Sequence, residues 1–234
     1  MEYLEYLIDN YWAATIFLLI TIVIAGIASL NVKMTFSKYN KVASSRGLPA
    51  HVITRQILDS SGLYDVNIIQ VRGNLTDHYD PRTNTVALSE SVYNSTAVGA
   101  IGVAAHECGH AIQFSRRYVP VKIRSALIPP LNIANRVWFF LFLIGMFLEF
   151  TGLIYAGIVL FALMVVFQLV TLPVEFDASR RAMQTIHGHK ILDPIEQVGA
   201  RRTLTAAAMT YIAALLVSFA QLIRFLAIAR GRRR

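Results

Sequence analysis

The sequence is short of cysteine and of charged residues. A single cysteine, Cys108, stands among 234 residues, which excludes an intramolecular disulfide and argues against a structural zinc site built from several thiolates. Charged residues make up 15% of the chain and hydrophobic residues 55%. Average soluble proteins hold about 25% charged residues. The chain is therefore too apolar for an ordinary soluble domain, and we predict a mainly α-helical integral membrane protein.

Four apolar runs supply the candidate membrane segments: residues 11–30, 137–148, 153–172 and 204–223. A membrane-spanning helix needs about 20 such residues. The second run is short unless its helix begins near Leu131, after Pro129-Pro130. Only residues 149–152 separate it from the third run, which predicts a hairpin over residues 131–172. The fourth run is rich in small residues that suit close helix packing. We expect about four transmembrane or membrane-associated helices.

Basic residues indicate which ends of these runs face the cytoplasm. Acidic residues precede the first run and basic residues follow it: Glu2, Glu5 and Asp9 come before, and Lys33, Lys38, Lys41 and Arg46 come after. The amino terminus is therefore predicted to face out, with residues 31–130 and 173–203 in the cytoplasm. A full membrane crossing by the fourth run would place the basic C-terminal tail outside, against this charge rule. The basic residues of the tail are Arg230, Arg232, Arg233 and Arg234. The sequence leaves open whether this run spans.

The net charge of +8 comes mostly from these flanking clusters. Basic residues beside membrane segments attract anionic lipid headgroups. No nucleic-acid-binding motif accompanies the basic tail, so we expect membrane lipids as partners and no nucleic acid.

The segment His106-Glu107-Cys108-Gly109-His110 spells HExxH, on a helix predicted from about Thr96 to Arg116. Residues four apart lie on one helix face, so the two histidines can bind one zinc ion at about 2.0–2.1 Å. The carboxylate of Glu107 then points at the open side of the metal. There it can take a proton from the attacking water and pass it to a leaving amine. This arrangement predicts peptide-bond hydrolysis with one zinc ion per chain.

Two other interpretations of this segment exist. The histidines could be buried and hydrogen-bonded, with Glu107 a surface charge. Cys108 could be a further ligand, but it lies about 200° round the helix from His106, and we interpret it as a small packing residue.

A catalytic zinc ion keeps three protein ligands and one open position, so a third donor must come from elsewhere. The best candidate is Glu175, in the segment PVEFDASRR that follows the third apolar run. A carboxylate beside a membrane end is costly without a partner, and zinc would be that partner. The alternative is an ion pair of Glu175 with Arg180 or Arg181.

Residues 31–130 read as a small globular region. A helix is predicted over Ala50 to Ser61, and short strands over Val66 to Val71 and Thr85 to Leu88. The second strand could be an exposed edge that pairs with an extended peptide, or an ordinary structural strand. Between the strands, His78 and Asp80 lie in a turn-forming segment, where stabilisation of the turn is the predicted role.

The motifs together resemble the YugP family of bacterial membrane zinc metallopeptidases. The resemblance covers nearly the whole chain: HECGH, the later LPVEFDASRRA, LTDHYDPRTNTVALSESVY before the metal helix and GARRTLTAAAMTYIAALL near the end. It implies a neutral zinc metallopeptidase fixed in the bacterial cytoplasmic membrane.

The arrangement is more distantly similar to HtpX and the CAAX prenyl proteases, whose third ligand lies in a Glu-x-x-Ala-Asp pattern. Glu175 and Ala178 match this pattern, and Ser179 stands where the Asp would be. In those families the Asp would support a ligand histidine. The similarity implies a zincin-like, gluzincin-type catalytic region with a small β element.

Two rival functions remain. A site-2-type intramembrane protease takes its third ligand from an Asp, for which Asp193 is the candidate, although the glycine of that family's LDG pattern is missing. A metal-binding membrane scaffold or quality-control protein would not cleave, and has no need of Glu107. Several residues are candidates for stabilising the oxyanion, and the sequence does not choose among them: His78, Tyr79, His187, His189 and Tyr211.

We therefore predict a multi-pass membrane zinc metalloendopeptidase with its active site on the cytoplasmic side. Its metal ligands are His106, His110 and Glu175, its catalytic residue is Glu107, and its substrates are proteins or peptides, including membrane proteins. Five segments are predicted: an N-terminal transmembrane helix (1–30), the HExxH region (31–130), a transmembrane hairpin (131–172), the third-ligand segment (173–203), and a membrane or membrane-associated helix with the basic tail (204–234).

Overall fold

The computed structural model describes residues 2–231, so the expectations for Arg232, Arg233 and Arg234 lie outside the described residues. The chain is mainly helical, with one small sheet. Its elements are α1 (Glu2–Asp9), α2 (Tyr11–Tyr39), α3 (Ala50–Ser60), β1 (Asn67–Val71), β2 (His78–Asp80), β3 (Thr85–Ser89), α4 (Glu90–Tyr93), α5 (Val98–Ser115), α6 (Val119–Phe147), α7 (Thr151–Gly188) and α8 (Pro194–Gly231).

The chain divides into two compact units. The apolar unit comprises Met1–Ala28, Ile123–Leu172 and Thr210–Arg234. The sheet unit comprises Ser29–Lys122 and Pro173–Met209 and holds all three strands.

Among residues 2–231, four helices are long and apolar enough to cross a membrane: α2, α6, α7 and α8. Many of their large apolar side chains are exposed, as expected for lipid-facing surfaces, and Ile20, Val23 and Ile27 are more than half exposed. Helix α6 begins at Val119 and continues through Pro129 and Pro130, well before the predicted start near Leu131. A proline removes one backbone hydrogen bond without always ending a helix, so this pair does not mark its start.

Within the apolar unit, the end of α8 lies beside the junction of α1 and α2. The Arg230 Nε atom is 2.8 Å from Asp9 Oδ1, and Arg224 donates a hydrogen bond of 2.9 Å to the Tyr11 hydroxyl. Residues 204–223 therefore belong to one long helix whose last turns reach the place where the first apolar helix begins.

The strand order of the sheet is β1-β3-β2. The central strand β3 runs parallel to β1 and antiparallel to β2, with Ile69 and His78 both in register with Ala87. All five residues of β3 are buried. The alternative in which Thr85 to Leu88 form an exposed edge is therefore wrong, because a strand covered on both sides cannot pair with a substrate. The two edge strands of the sheet are β1 and β2.

Helix α5 passes close to α7 and α8 because small residues lie at the crossings. A Cβ atom added at Gly109 would lie 2.5 Å from the backbone oxygen of Ala178, and one added at Gly102 would lie 3.2 Å from Ala200 Cα. Helix backbones approach this closely only where a side chain is absent. The fold thus brings residues of the HExxH helix against residues that follow the third apolar run.

Substitution of Gly109 by alanine should destabilise the sheet unit. The added methyl group meets a backbone oxygen of α7, which cannot move away as a flexible side chain can, and overpacking of this kind costs about 1–3 kcal/mol. Thermal unfolding of the detergent-purified, metal-free protein measures the effect. Gly188→Ala is the control, because a Cβ atom there meets nothing within 4 Å. Equal unfolding temperatures for the two variants would contradict the close crossing.

Candidate metal centre

The structure brings the three predicted ligands together in the sheet unit. One candidate ligand atom each of His106, His110 and Glu175 lies within 4.8 Å of the others. The Glu175 Oε2 atom is 3.3 Å from His106 Nε2 and 3.6 Å from His110 Nε2. The side chains are 14%, 13% and 5% exposed, in that order, so the cluster is largely closed to bulk solvent.

The helices explain this convergence. His106 and His110 are one turn apart on α5, and their ring centroids are 4.7 Å apart at an interplanar angle of 83°. Glu175 lies on α7, three residues before Ala178, whose backbone meets Gly109 between the two histidines. The close crossing of α5 and α7 therefore holds the carboxylate against both rings.

Arg180 and Arg181 bind Asp177 rather than Glu175, so the expected alternative partner of Glu175 is wrong. Arg181 Nε lies 2.6 Å from Asp177 Oδ2, and Arg180 binds the other carboxylate oxygen. Burial works to raise the pKa of the Asp177 carboxyl, but its hydrogen bonds with Gln113 and both arginines outweigh burial and hold that pKa below its usual value.

The partners of Glu175 are the two imidazoles. Burial works to raise the pKa of the Glu175 carboxyl, but hydrogen bonds with His106 and His110 outweigh burial and hold that pKa well below its usual range. A buried carboxylate that stays ionised beside two imidazoles is a ready ligand for a cation.

Gln113 contacts the rear nitrogen of His110. Its Oε1 atom is 3.0 Å from His110 Nδ1, and its Nε2 donates hydrogen bonds to the Val174 carbonyl at 2.8 Å and to Asp177 Oδ2 at 2.9 Å. The side chain is fully buried. The sequence alone does not single out this residue. The available signal was its position, one turn after the second histidine on the metal-binding face of the helix.

Ser179 contacts the rear nitrogen of His106, with its Oγ atom 3.1 Å from Nδ1. It stands where the resemblance to HtpX and the CAAX proteases would place an Asp. The position therefore keeps its contact with a ligand histidine although the residue type differs. Asp177 reaches the ligands only indirectly, through Gln113.

The three donors fit a zinc ion. A tetrahedral ion with bonds of about 2.0–2.1 Å separates its ligand atoms by about 3.4 Å, close to the two distances measured to Glu175. Two imidazoles and one carboxylate also form the ligand type of catalytic sites that keep a fourth position open.

Glu107 and Cys108, the two residues after His106, lie in different surroundings. Glu107 is 7% exposed and adjoins His106 in the same helix. Cys108 is completely buried, its Sγ atom is 3.8 Å from the Thr54 carbonyl, and burial raises the pKa of its thiol. Cys108 does not belong to the donor cluster, which confirms that it is a packing residue.

Asp193 caps a helix and does not join the donors. Its Oδ1 atom accepts hydrogen bonds from the backbone N–H groups of Ile195 at 2.9 Å and Glu196 at 2.8 Å, and Glu196 accepts in return from the Asp193 N–H at 3.0 Å. This reciprocal pattern is a capping box at the start of α8. The ligand set of a site-2-type protease is thus not formed.

Three of the oxyanion candidates have local partners. The Tyr79 hydroxyl donates to Asn84 at 2.9 Å, His78 Nδ1 lies 2.9 Å from the Thr76 carbonyl, and His187 Nδ1 lies 3.2 Å from Gln197 Oε1. His189 lines two small cavities in the sheet unit, of about 270 and 180 Å³. None of these side chains belongs to the three-donor cluster.

Asp80 has the turn-stabilising role that the sequence predicts. Its Oδ1 atom accepts a hydrogen bond of 2.9 Å from the Arg82 backbone N–H, two residues further on.

Comparison with known proteins agrees with this geometry. Residues 14–230 match the model of a family described as "Putative neutral zinc metallopeptidase". A protein of Bacillus subtilis (strain 168) named "Putative membrane protease YugP" is 46% identical over 216 residues, which are 91% of this chain and 96% of that protein. No solved structure matches the chain.

Ser179 provides a test of the contact with His106. Ser179→Ala removes the partner of Nδ1, and loss of such a partner weakens metal binding by about 10- to 100-fold. Ser179→Asp keeps an acceptor there and should bind zinc at least as tightly as wild type. Chelator competition with the detergent-purified proteins gives the affinities. A loss of affinity in Ser179→Asp equal to that in Ser179→Ala would show that the contact does not support His106.

Proposed function

The chain belongs to the family of putative neutral zinc metallopeptidases, and we propose on that premise that it hydrolyses peptide bonds of proteins or peptides at a membrane. The observation that carries the proposal is the convergence of His106, His110 and Glu175, with Glu107 beside the first histidine. A purely structural zinc site has no use for that fourth acidic residue.

The residues divide the work of hydrolysis between them. His106, His110 and Glu175 would hold the ion, which supplies a Lewis acid that polarises the scissile carbonyl and makes water more acidic. Glu107 takes the proton of the attacking water and delivers it to the leaving amine. Because Glu107 is buried, few solvent molecules compete with it for the proton that is transferred.

Strand β2 is the proposed site of substrate pairing. It pairs with β3 on one side only, so its other edge offers backbone groups to an extended peptide. The Tyr79 ring on β2 packs 5.6 Å from the Phe114 ring on α5, which sets this strand along the helix that carries the histidines. Main-chain hydrogen bonds of this kind bind extended peptides with little regard to their sequence.

The proposed fold class is zincin-like and gluzincin-type. Support comes from a HExxH helix packed against a small mixed sheet, and from a carboxylate ligand on a later helix.

We further propose that the sheet unit faces the cytoplasm of a bacterial cell and that α8 crosses the membrane. Basic residues follow α2, as expected for a cytoplasmic end. A membrane crossing by α8 conflicts with the charge rule, because the basic tail would lie outside. The ion pair of Arg230 with Asp9 offsets part of that positive charge. Asp9 thus compensates Arg230 and favours an outer position of the end of α8.

The peptidase assignment is tested by bound zinc and by casein cleavage on the same detergent-purified samples. We expect one zinc ion per chain in wild type and in Glu107→Gln, cleavage only in wild type, and loss of zinc in Glu175→Ala, since three ligands bind far better than two. Asp193→Ala is the matched carboxylate control and should keep its zinc. Full zinc in Glu175→Ala would refute that ligand, and zinc without cleavage in wild type would favour a non-cleaving metal-binding scaffold.

The membrane orientation is tested by labelling single cysteines, after Cys108→Ala has removed the one native thiol. Intact bacterial cells are treated with a membrane-impermeant maleimide. Glu149→Cys, between α6 and α7, should react in intact cells, whereas Lys190→Cys, between α7 and α8, should react only after lysis. The reverse pattern would place the sheet unit outside.

A further inference from the structure

We propose that Gln113 is the positioning residue of the metal centre: it fixes His110 in the tautomer whose proton is on Nδ1, so that Nε2 presents a free lone pair to the ion. The inference rests on the proposed function, since it assigns the ion to the same three donors. It adds a residue that does not touch the ion and acts only through His110.

The hydrogen bonds of Gln113 allow one orientation of its amide. Its Nε2 atom faces the Val174 carbonyl at 2.8 Å and the Asp177 carboxylate at 2.9 Å, and both of these groups accept hydrogen bonds. A flipped amide would place its oxygen against two acceptors in a fully buried position, with no water to compensate. The Oε1 atom must therefore face His110.

The amide orientation decides the tautomer of His110. Gln113 Oε1 lies 3.0 Å from Nδ1 and can only accept, so Nδ1 carries the proton and donates it. The neutral ring then has an unprotonated Nε2, which lies 3.6 Å from Glu175 Oε2. A lone pair facing a carboxylate is unfavourable unless a positive centre lies between them. Without metal, a second proton on Nε2 can take that position, and with metal the ion replaces this proton while Nδ1 keeps its own.

The other side of Gln113 is anchored rigidly. Asp177 is 5% exposed and bound by Arg181 at 2.6 Å, and the Arg181 guanidinium lies 5.6 Å from the centre of the Tyr118 ring. The chain of contacts from Arg181 through Asp177 and Gln113 to His110 contains no group that can rotate without losing a buried hydrogen bond.

His106 lacks such a device. Its Nδ1 contacts the Ser179 hydroxyl, which can rotate and either donate or accept. The two ligand histidines thus differ: the hydroxyl beside His106 adapts to either tautomer, whereas the amide beside His110 selects one.

The first experiment measures zinc affinity by chelator competition on detergent-purified, full-length protein. Gln113→Leu should bind zinc about 10- to 100-fold more weakly than wild type, because His110 loses its orienting acceptor. Gln184→Leu, an exposed position on α7, is the control for the side-chain change and should bind as wild type. Absorption of the cobalt-substituted proteins should change for Gln113→Leu alone, since a misplaced ligand alters the coordination geometry.

A reciprocal pair of substitutions separates positioning from mere packing. Gln113→Glu puts a second carboxylate against Asp177 and should weaken zinc binding. Adding Asp177→Asn turns the contact into an amide facing a carboxylate, while His110 keeps its acceptor. The double variant should therefore bind zinc at least about tenfold more tightly than Gln113→Glu alone. A packing role predicts no such rescue, and its absence would overturn the proposal.

Nitrogen-15 NMR of histidine in the metal-free wild-type protein tests the tautomer directly, and needs no variant of Gln113 that must fold. The His110 signal, assigned with His110→Gln, should show the proton on Nδ1. An Nδ1 without a proton would overturn the inference and leave the peptidase untouched, as would unchanged zinc affinity and cobalt spectrum in Gln113→Leu. A second proton on Nε2, facing Glu175 in the absence of metal, is compatible with the inference. A wild type that binds no zinc would instead refute the proposed function itself.

Discussion

The close crossing of α5 and α7 is the constraint on which the rest of the candidate site depends. Gly109 lies between the two histidines, and its missing side chain lets the backbone of Ala178 approach the HExxH helix. Without this approach, Glu175 would stay a buried carboxylate with no partner, which is strongly unfavourable. The glycine inside the motif is therefore a structural requirement of the three-donor cluster, not a filler between ligands.

The segment after the third apolar run carries two carboxylates with opposite surroundings. Glu175 faces two imidazoles, whereas Asp177, two residues further on, faces two arginines. Because both arginines pair with Asp177, neither neutralises Glu175. The negative charge of Glu175 is therefore available to a cation. Because Asp177 also anchors Gln113, the same ion pairs that free Glu175 for a metal hold His110 in place.

The sequence predicts the parts of the site that depend on local spacing. His106 and His110 follow from helical periodicity, and Glu175 follows from the need for a third donor. The contacts of Gln113 and Ser179 could not be predicted, because they depend on which turn of α7 crosses α5. The central position of β3 could not be predicted either, because strand order depends on pairing with distant segments and not on the strand's own residues. The predicted start of α6 near Leu131 is wrong for a similar reason, because the surrounding structure decides whether a helix continues through prolines.

The buried Glu107 carboxylate contributes to the charge balance of the metal centre. A divalent ion at the three donors brings two positive charges, of which Glu175 neutralises one. Asp177 contributes nothing further, because Arg180 and Arg181 compensate it. Glu107, 7% exposed and next to His106, is then the carboxylate that completes neutrality, and the ion is what makes its burial affordable in free energy. In the proposed mechanism Glu107 also transfers the proton, so the same carboxylate would serve both the charge balance of the site and the chemistry.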